Sequence, residues 1–547
     1  MTLSVALFPP RRRGRLRPAE WALSPMLWAI VAVAVLAASL LAAAVAPWLH
    51  GTPVSPEDDA EYYRVIAGHI AREGVSTFDG LTLTNGYHPL WTWMLALQDR
   101  LFGPSFLLTR LVEAAMVAAA FPVFLRAAGL RSAVGVLAFL MLYGRLVAGL
   151  ALTGMEVSAL VGATALVVLA ATPTRRDDLW RGAALGLAAA TAVLARLDAA
   201  VFVLPLAAFA PLRRRTRIAA LVVAGAVGAA YVAYNLLVFG AAMPVSSAVK
   251  SLGGLQLNRR LIDEVALEWR TQHLASRYVQ TAALLALTPV MLLLSRRHTL
   301  GQALAAAATV GGALFVAKVL FGSSWRIWPW YNFPVLFGLL AAAAVLGPAV
   351  ERAAQDWSDR RPALAGPVAL AAVLLAGLGM AGLTLKAARV AMRPAADTSL
   401  NRFDALNRVA ADRWSPVLRG APVAMGDRAG AFAAAYPGPV VQLEGLTADA
   451  EYLRLLKAKA DVTLYLCRHG VRFVLGYRPE LGDYRTHRMP VMRTTLTQYA
   501  GPALTLRRED EVGRIQDRSL LDLRDGADEA DDTLHLWRLS ACGRPAA

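Results

Sequence analysis

The segment SPEDDAEYYRVIAGHIAREG, residues 55–74, carries a dense group of acidic side chains shortly after a long apolar run. Asp58 and Asp59 stand side by side within it. A carboxylate held near a hydroxyl group can take its proton as a general base. Two adjacent carboxylates repel each other, so one of them can have a raised pKa while the other has a neighbouring cation. The pair is therefore the first candidate for chemistry in this chain.

The same residues also fit the start of a helix. Ser55 is a capping residue, Pro56 suits the first helical position, and an acid three residues after the cap resembles a capping box. Acidic side chains also interact favourably with the positive end of a helix dipole. A helix start accounts for one or two of the carboxylates, and it remains an alternative to the catalytic interpretation.

The segment after this helix is expected to fold back beside the carboxylates. Its sequence, STFDGLTLTNGYHPLWTWMLAL at residues 76–97, contains the turn signals Asp-Gly and Asn-Gly. The aromatic residues of YHPLW are typical of a membrane–water interface. We expect the paired turns to bring Asn85 and His88 close to Asp58. A solvated connector does not require such an arrangement.

Apolar residues recur at helical spacing between Asp59 and Arg72, and Tyr62 lies on the apolar face. An amphipathic helix of this kind is expected to lie in the membrane interface rather than to cross the membrane. The candidate carboxylates would then stand at the level of lipid headgroups.

The elements that must hold these residues are membrane spans. Hydrophobic residues make up 57% of the 547 residues and charged residues only 17%, which is typical of membrane proteins. A span needs roughly 20 mainly apolar residues. By that measure the sequence predicts about eleven spans, centred near Val35, Val117, Leu140, Val167, Leu187, Leu204, Val227, Leu285, Thr309, Gly338 and Leu374.

The net charge of +17 does not indicate a nucleic-acid partner, because the arginines cluster in short segments between alternate spans. The clusters lie at 11–17, 126–131, 175–181, 213–217, 296–297 and 351–361. This distribution follows the positive-inside rule. It places the N-terminus in the cytoplasm of a bacterial cell and the chain after about residue 390 outside the cytoplasmic membrane. The first apolar run lacks a clear cleavage site, so we interpret it as a retained span.

The predicted fold is a mostly α polytopic membrane protein with two domains. Residues 1–390 form the transmembrane domain, including a long first periplasmic loop at 48–104. Residues 391–547 alternate short apolar runs with helical stretches, which predicts a small extracytoplasmic α+β domain. Cys467 and Cys542 both lie in this domain. They could form a disulfide in an oxidising compartment or remain two buried thiols.

Several motifs resemble those of the C-type (GT-C) membrane glycosyltransferases. An Asp-Asp pair opens an interfacial helix after the first span and is followed by FDG…TNGYHPLW. Weaker similarity continues through TGMEVSAL, LARLDA, YNLLVFGAAMPVSSAVK and GDRAGAF, so that the resemblance covers nearly the whole chain. It resembles the bacterial dolichyl-phosphate-mannose or arabinofuranosyltransferase-like members. It does not indicate the sugar, the donor lipid or the acceptor, which can be a glycan, a lipid or a protein.

This resemblance implies an inverting transfer of a hexose or pentose from a polyprenyl-phosphate donor to a hydroxyl group. Asp58 matches the family's catalytic carboxylate, and Asp59 is its neighbour with an orienting, binding or metal-contacting role. No Asp-x-Asp pattern occurs in the loop, so we expect no metal or other cofactor. A cluster of His50, Asp58 and His88 is an alternative.

The leaving phosphate requires positive charge, since catalysis stabilises the charge that develops in the transition state. Lys250 follows a predicted span, and Arg326 lies near Tyr331 in the turn GSSWRIWPWYNFP. We expect these residues, together with Tyr62, Asn85 and His88 of the first loop, to bind substrate. The alternative for the turn is an aromatic belt with a snorkelling arginine. Glu156 could bind the sugar, or it could form a structural ion pair with Arg196.

Two functions from other classes remain alternatives. A transporter or flippase of a lipid-linked glycan would place charged residues at mid-membrane and repeat its halves. A non-catalytic envelope assembly protein would use its outer domain to bind a partner.

Overall fold

The computed structural model describes residues 25–49, 58–175, 177–391, 399–477, 479–493, 496–516 and 533–543. Ser55 and His50 lie outside these ranges, as does the arginine cluster at 11–17. The helix cap and the His50 cluster considered above therefore fall outside the described residues.

The chain up to residue 391 folds into a helical bundle. Its helices are α1 (Pro25–Leu49), α2 (Asp58–Glu73), α3 (Pro89–Phe102), α4 (Phe106–Ala128), α5 (Ala133–Leu146), α6 (Val157–Ala171), α7 (Leu179–Ala195), α8 (Ala200–Phe209), α9 (Arg214–Phe239), α10 (Val245–Lys250), α11 (Arg259–Gln272), α12 (Arg277–Leu294), α13 (Leu300–Phe321), α14 (Pro334–Arg360) and α15 (Pro362–Ala391). Every predicted span centre lies in one of these helices. The hydropathy of the sequence thus located eleven of these fifteen helices.

Eight helices in the described part of the chain are long and apolar enough to cross a membrane. They are α1, α4, α5, α9, α12, α13, α14 and α15. The helices α6, α7 and α8 are apolar but shorter. The chain is therefore a multi-pass membrane protein, while the total of eleven spans stays a prediction.

The arginine-rich loops that the structure describes lie at one end of the bundle. There the Glu351 carboxylate accepts hydrogen bonds from the backbone N–H of Arg131, at 3.0 Å, and of Ser132. The carboxylate of Asp177 accepts a bond of 2.7 Å from the N–H of Arg213. Antiparallel helices carry the chain from this end to the end where α2 and α3 lie. This arrangement agrees with the charge pattern, and the orientation in the membrane stays a prediction.

Helix α2 packs between the bundle and the C-terminal domain, so its polar face is not open to lipid headgroups. Glu61 on that face is buried and forms an ion pair with Arg408. The apolar residues Tyr62 and Ile66 pack in the core that α2 shares with the C-terminal domain. The position of this helix in the membrane interface stays a prediction.

The C-terminal domain, residues 399–543, has the predicted α+β composition. The strands are β1 (Val423–Met425), β2 (Val440–Gln442), β3 (Phe473–Tyr477), β4 (Glu480–Leu481), β5 (Thr486–Pro490), β6 (Ala503–Arg507), β7 (Glu511–Gln516) and β8 (Thr533–Arg538). Strands β2, β1, β3, β8 and β7 form one sheet in that order, with β1 parallel to β2 and β3, and antiparallel β4, β5 and β6 form another. The helices are α16 (Ser399–Leu418), α17 (Ala429–Ala435), α18 (Ala450–Ala458) and α19 (Thr463–Arg468).

Cys467 and Cys542 form a disulfide, which resolves the alternative left open by the sequence. The domain also bonds to the turn at residues 323–331, which we call the Trp turn. The N–H of Arg326 donates to the Leu496 carbonyl at 2.7 Å, and that of Gln498 donates to the Ser324 carbonyl at 2.8 Å. These contacts join the C-terminal domain to the end of the bundle that carries the carboxylates.

Candidate active site

Three adjoining cavities lie where the N-terminal end of α2 meets the Trp turn and the C-terminal domain. The carboxylate cavity, with about 560 Å³ of atom-free space partly open to solvent, is lined by Asp58, Asp59, Tyr62, Trp325, Trp328, Trp330, Asp404, Asp427, Arg428, Glu444, Leu446 and Leu496. The cationic cavity, of about 870 Å³, is lined among others by Lys250, Lys318, Arg326, Arg196, His88, Tyr331 and several serines. The middle cavity, of about 460 Å³, shares Asp59 with the first and Lys250 with the second.

Asp58 lies at the first turn of α2 and faces the C-terminal domain. Its Oδ1 accepts a hydrogen bond of 3.2 Å from the backbone N–H of Ala431. Gly430 makes this approach possible, because a Cβ there would collide with the carbonyl oxygen of Asp58. Burial, together with the charges of Asp59 and Asp427, raises the pKa of Asp58 to about 7. A carboxylate with this pKa is well suited to act as a base near neutral pH.

Asp59 lines both the carboxylate cavity and the middle cavity. Burial raises its pKa, while the ammonium group of Lys250 opposes the shift. The two adjacent carboxylates therefore face different surroundings, since Asp58 contacts the C-terminal domain and Asp59 is coupled to a cation of the bundle. The sequence predicts that one carboxylate has a raised pKa and that the other has a neighbouring cation. Asp58 has a pKa raised to about 7, and Asp59 interacts with Lys250.

His88 and Glu156 meet in the middle cavity, which Asp59 also lines. The predicted approach of Asn85 and His88 to Asp58 stays a prediction, since neither residue lines the carboxylate cavity. The N–H of Leu197 donates to His88 Nδ1 at 3.3 Å, so the ring proton is on Nε2, which lies 3.7 Å from Glu156 Oε1. Burial lowers the pKa of His88 to about 4, and the ring is neutral at pH 7. Its ring also stacks against Tyr63, with 6.4 Å between the centroids.

Glu156 forms the ion pair with Arg196 that the sequence left as an alternative. Arg196 also bonds Asp198 at 2.8 Å and is sandwiched between the rings of Tyr331 and Phe333. The second oxygen of Glu156, Oε2, is buried with no hydrogen-bond partner among the described residues. Glu156 therefore lines the middle cavity and pairs with Arg196 at the same time.

The predicted phosphate-binding cations both line the cationic cavity. Lys250 Nζ donates a hydrogen bond of 2.8 Å to the Tyr331 hydroxyl. Burial would lower the pKa of Lys250, but Tyr331 and Asp59 outweigh this effect and raise it, so its amine stays charged. Arg326 bonds Glu264 of α11 at 2.7 Å and lies over the ring of Trp328.

Tyr62 lines the carboxylate cavity beside Asp58. Asn85 instead holds the loop in place. Its Oδ1 accepts a bond of 3.0 Å from the N–H of Val245, and its Nδ2 donates to the Met243 carbonyl at 3.4 Å. The substrate-binding role expected for Asn85 stays a prediction, and its contacts in the structure position the segment that leads to Lys250.

Sequence reasoning missed the C-terminal side of the site. Asp427 and Arg428 lie within GDRAGAF, a motif that was noticed but given no role. Glu444 follows the short apolar strand β2 and has no local signal. Lys318 lies on α13, and its Nζ is 3.9 Å from Asp198 Oδ2. A charged residue inside an apolar span is a signal of a functional site, so the sequence could have indicated Lys318 as a candidate.

Among the described residues, no group of three His, Cys, Asp or Glu side chains is arranged to hold a metal ion. The expectation of a reaction without a metal therefore stays a prediction. What the residues present can do is accept a proton at Asp58 and bind an anion beside Lys250.

No protein-family model and no curated protein matches the chain. Nine chains of solved structures are similar to it, among them the following three. The oligosaccharyltransferase of Archaeoglobus fulgidus is 13% identical over 81% of this chain and 68% of its own, with a TM-score of 0.46. ArnT from Cupriavidus metallidurans is 15% identical over 87% of this chain and 96% of its own, with a TM-score of 0.48. The arabinofuranosyltransferase AftD from Mycobacteria is 15% identical over 82% of this chain and 36% of its own, with a TM-score of 0.41. Because every TM-score is below 0.5, these likenesses carry no argument about activity.

Proposed function

We propose that this chain is an inverting glycosyltransferase. It moves a sugar from a polyprenyl-phosphate donor to a hydroxyl acceptor at the outer face of the cytoplasmic membrane. The observation that carries the proposal is the continuity of the site. The middle cavity shares Asp59 with the carboxylate cavity and Lys250 with the cationic cavity, so a base and an anion site stand at two ends of one space.

In the proposed reaction the donor phosphate lies against Lys250 and Arg326, and the sugar occupies the middle cavity. The acceptor hydroxyl lies beside Asp58. Its oxygen forms a bond to the anomeric carbon as the bond from that carbon to the phosphate oxygen breaks. The hydroxyl proton passes to the Asp58 carboxylate, and the polyprenyl phosphate leaves with the bonding electron pair. A single displacement of this kind inverts the anomeric configuration.

The surroundings of the cationic cavity support a donor that arrives through the membrane. Lys318, which lines it, is half exposed on α13, one of the helices apolar enough to span a membrane. Met243, at the rim, exposes about half of its surface. A lipid tail can lie along such an apolar surface while its phosphate reaches the cations.

The proposal is tested with the purified full-length chain in detergent, supplied with polyprenyl-phosphate mannose or arabinofuranose and a panel of hydroxyl acceptors. Release of polyprenyl phosphate together with an inverted glycoside supports it. Movement of the intact donor between bilayer leaflets in vesicles, without transfer, would instead indicate a flippase. Neither transfer nor movement with any donor would favour an assembly protein.

A further inference from the structure

Glu444 is a buried carboxyl group that the proposed displacement does not use. Its side chain is about 1% exposed and lines the carboxylate cavity. Its Oε2 accepts a hydrogen bond of 3.3 Å from Gln442 Nε2. Its Oε1 has no hydrogen-bond partner among the described residues. An unpaired buried oxygen is costly, so a group on a bound molecule is the natural partner for it.

The cavity around Glu444 has the lining of a ligand site. The C-terminal domain supplies one wall, and Asp58 stands on α2 across from it. The third wall consists of the indole rings of the Trp turn. Trp328 and Trp330 stack with 5.7 Å between their centroids. Aromatic walls with a few convergent polar groups are typical of small-molecule sites. Such faces also pack well against the C–H groups of a sugar ring.

At Glu444 itself a neutral ligand is favoured over a cationic one, because this carboxyl group is held in its neutral form. The Asp427 carboxylate is already balanced, since it pairs with Arg493 and lies 3.4 Å from Arg428. Burial, with the nearby charge of Asp427, raises the pKa of Glu444 well above its usual range. A neutral carboxyl group both donates and accepts a hydrogen bond, as a sugar hydroxyl does.

We propose that Glu444 binds a hydroxyl group of a saccharide acceptor and so positions a second hydroxyl of that saccharide at Asp58. This inference rests on the proposed glycosyl transfer and narrows its acceptor to a glycan. The unpaired Oε1 bonds the hydroxyl, while the Trp turn packs against the ring. Glu444 is a positioning residue, because it acts on the acceptor and not on the reacting atoms.

Binding is measured first, because it does not depend on turnover. Saturation-transfer NMR with methyl hexopyranosides reports weak binding to the full-length protein in a detergent without sugar. We expect Glu444→Ala to weaken binding about tenfold or more. Glu444→Gln, which keeps a neutral donor and acceptor, should restore most of it. The matched control is Glu451→Ala, since Glu451 lies on the same domain but is partly exposed and paired with Arg468.

Turnover then separates this inference from the proposed function. With an active parent enzyme, Glu444→Ala should raise KM for the saccharide acceptor and leave KM for the donor within about twofold. If Glu444→Ala leaves both the affinity and the KM for the acceptor unchanged, the role of Glu444 is overturned while the proposed transfer stands. Saturation transfer from glucosamine but not from methyl glucoside would also overturn this role, because the site would then bind a cation. An inactive parent that still binds methyl hexosides through Glu444 would instead overturn the proposed transfer and retain the saccharide site.

Discussion

Replacing Asp58 with asparagine removes proton acceptance and changes little else. Asparagine keeps an Oδ1 that can accept the hydrogen bond from the Ala431 N–H. Burial raises the pKa of Asp58 in the folded protein to about 7. As the pH rises from about 4 to about 7, the carboxyl group ionises more readily in the unfolded chain than in the folded protein, so the free energy of unfolding decreases. The uncharged asparagine avoids this decrease. We therefore expect the melting temperature of Asp58→Asn at pH 8 to equal or exceed that of the parent.

The effect on rate follows from the pKa of about 7. Asp58 is then ionised in roughly a tenth of the molecules at pH 6 and in roughly nine tenths at pH 8. Since only the ionised form accepts a proton, kcat/KM of the parent should rise about tenfold over this range. At pH 8, Asp58→Asn should lower the rate by at least ~100-fold, the low end for loss of a general base. The loss should shrink to about tenfold at pH 6.

The assay is transfer from a polyprenyl-phosphate sugar by purified protein at pH 6, 7 and 8. Asp79→Asn is the matched control, because Asp79 is also a buried carboxylate of the first loop but holds a turn by accepting the N–H of Leu81 and Thr82. Asp59→Asn should keep most of the activity. The rise of kcat/KM with pH should occur at lower pH in this variant, since it lacks a charge that raises the pKa of Asp58. Near-parental turnover of Asp58→Asn at pH 8 would refute the assignment.

Three further predictions concern the donor site, the orientation and the disulfide. Lys250→Ala and Arg326→Ala should each raise KM for the donor about tenfold or more and leave KM for the acceptor nearly unchanged; parental donor dependence in both would contradict the phosphate site. In intact cells, an impermeant thiol reagent should label Leu81→Cys, which is exposed in the first loop, but not Arg215→Cys, and the reverse pattern would invert the orientation. Replacing Cys467 and Cys542 together with serine should lower the stability of the C-terminal domain by about 4 kcal/mol, measured by thermal unfolding, because the disulfide closes a loop between residues 75 apart in sequence.

The helices of the bundle could be predicted because they depend on local sequence. An apolar run of sufficient length has few structural alternatives in a membrane, and each predicted centre lies in a helix. The return of the first loop could be predicted only in outline. His88 lies beside Glu156, and Trp91 Nε1 donates to the Gly154 carbonyl at 2.9 Å, whereas the sequence predicts His88 beside Asp58.

The C-terminal half of the site could not be predicted, because it depends on contacts between distant segments. Asp58 and Ala431 are 373 residues apart in sequence. Nothing near Glu444 distinguishes it from an acid on a solvated loop, since its burial comes from the docking of one domain on another. Gly86 shows the same dependence. A Cβ there would collide with the carbonyl oxygen of Leu446, and the turn signal Asn-Gly alone gives no indication of that neighbour.

The acidic run that opens α2 divides into two roles once both domains are in place. Glu61 faces the C-terminal domain and pairs with Arg408, which holds the helix. Asp58 and Asp59 face the cavities, and the surroundings that raise the pKa of Asp58 include Asp427 of the C-terminal domain. Before that domain docks, Asp58 would be a solvated carboxylate with an ordinary pKa and a poor base. The proposed base is therefore a property of the assembled interface, since both Ala431, which bonds Asp58, and Asp427, which raises its pKa, belong to the C-terminal domain.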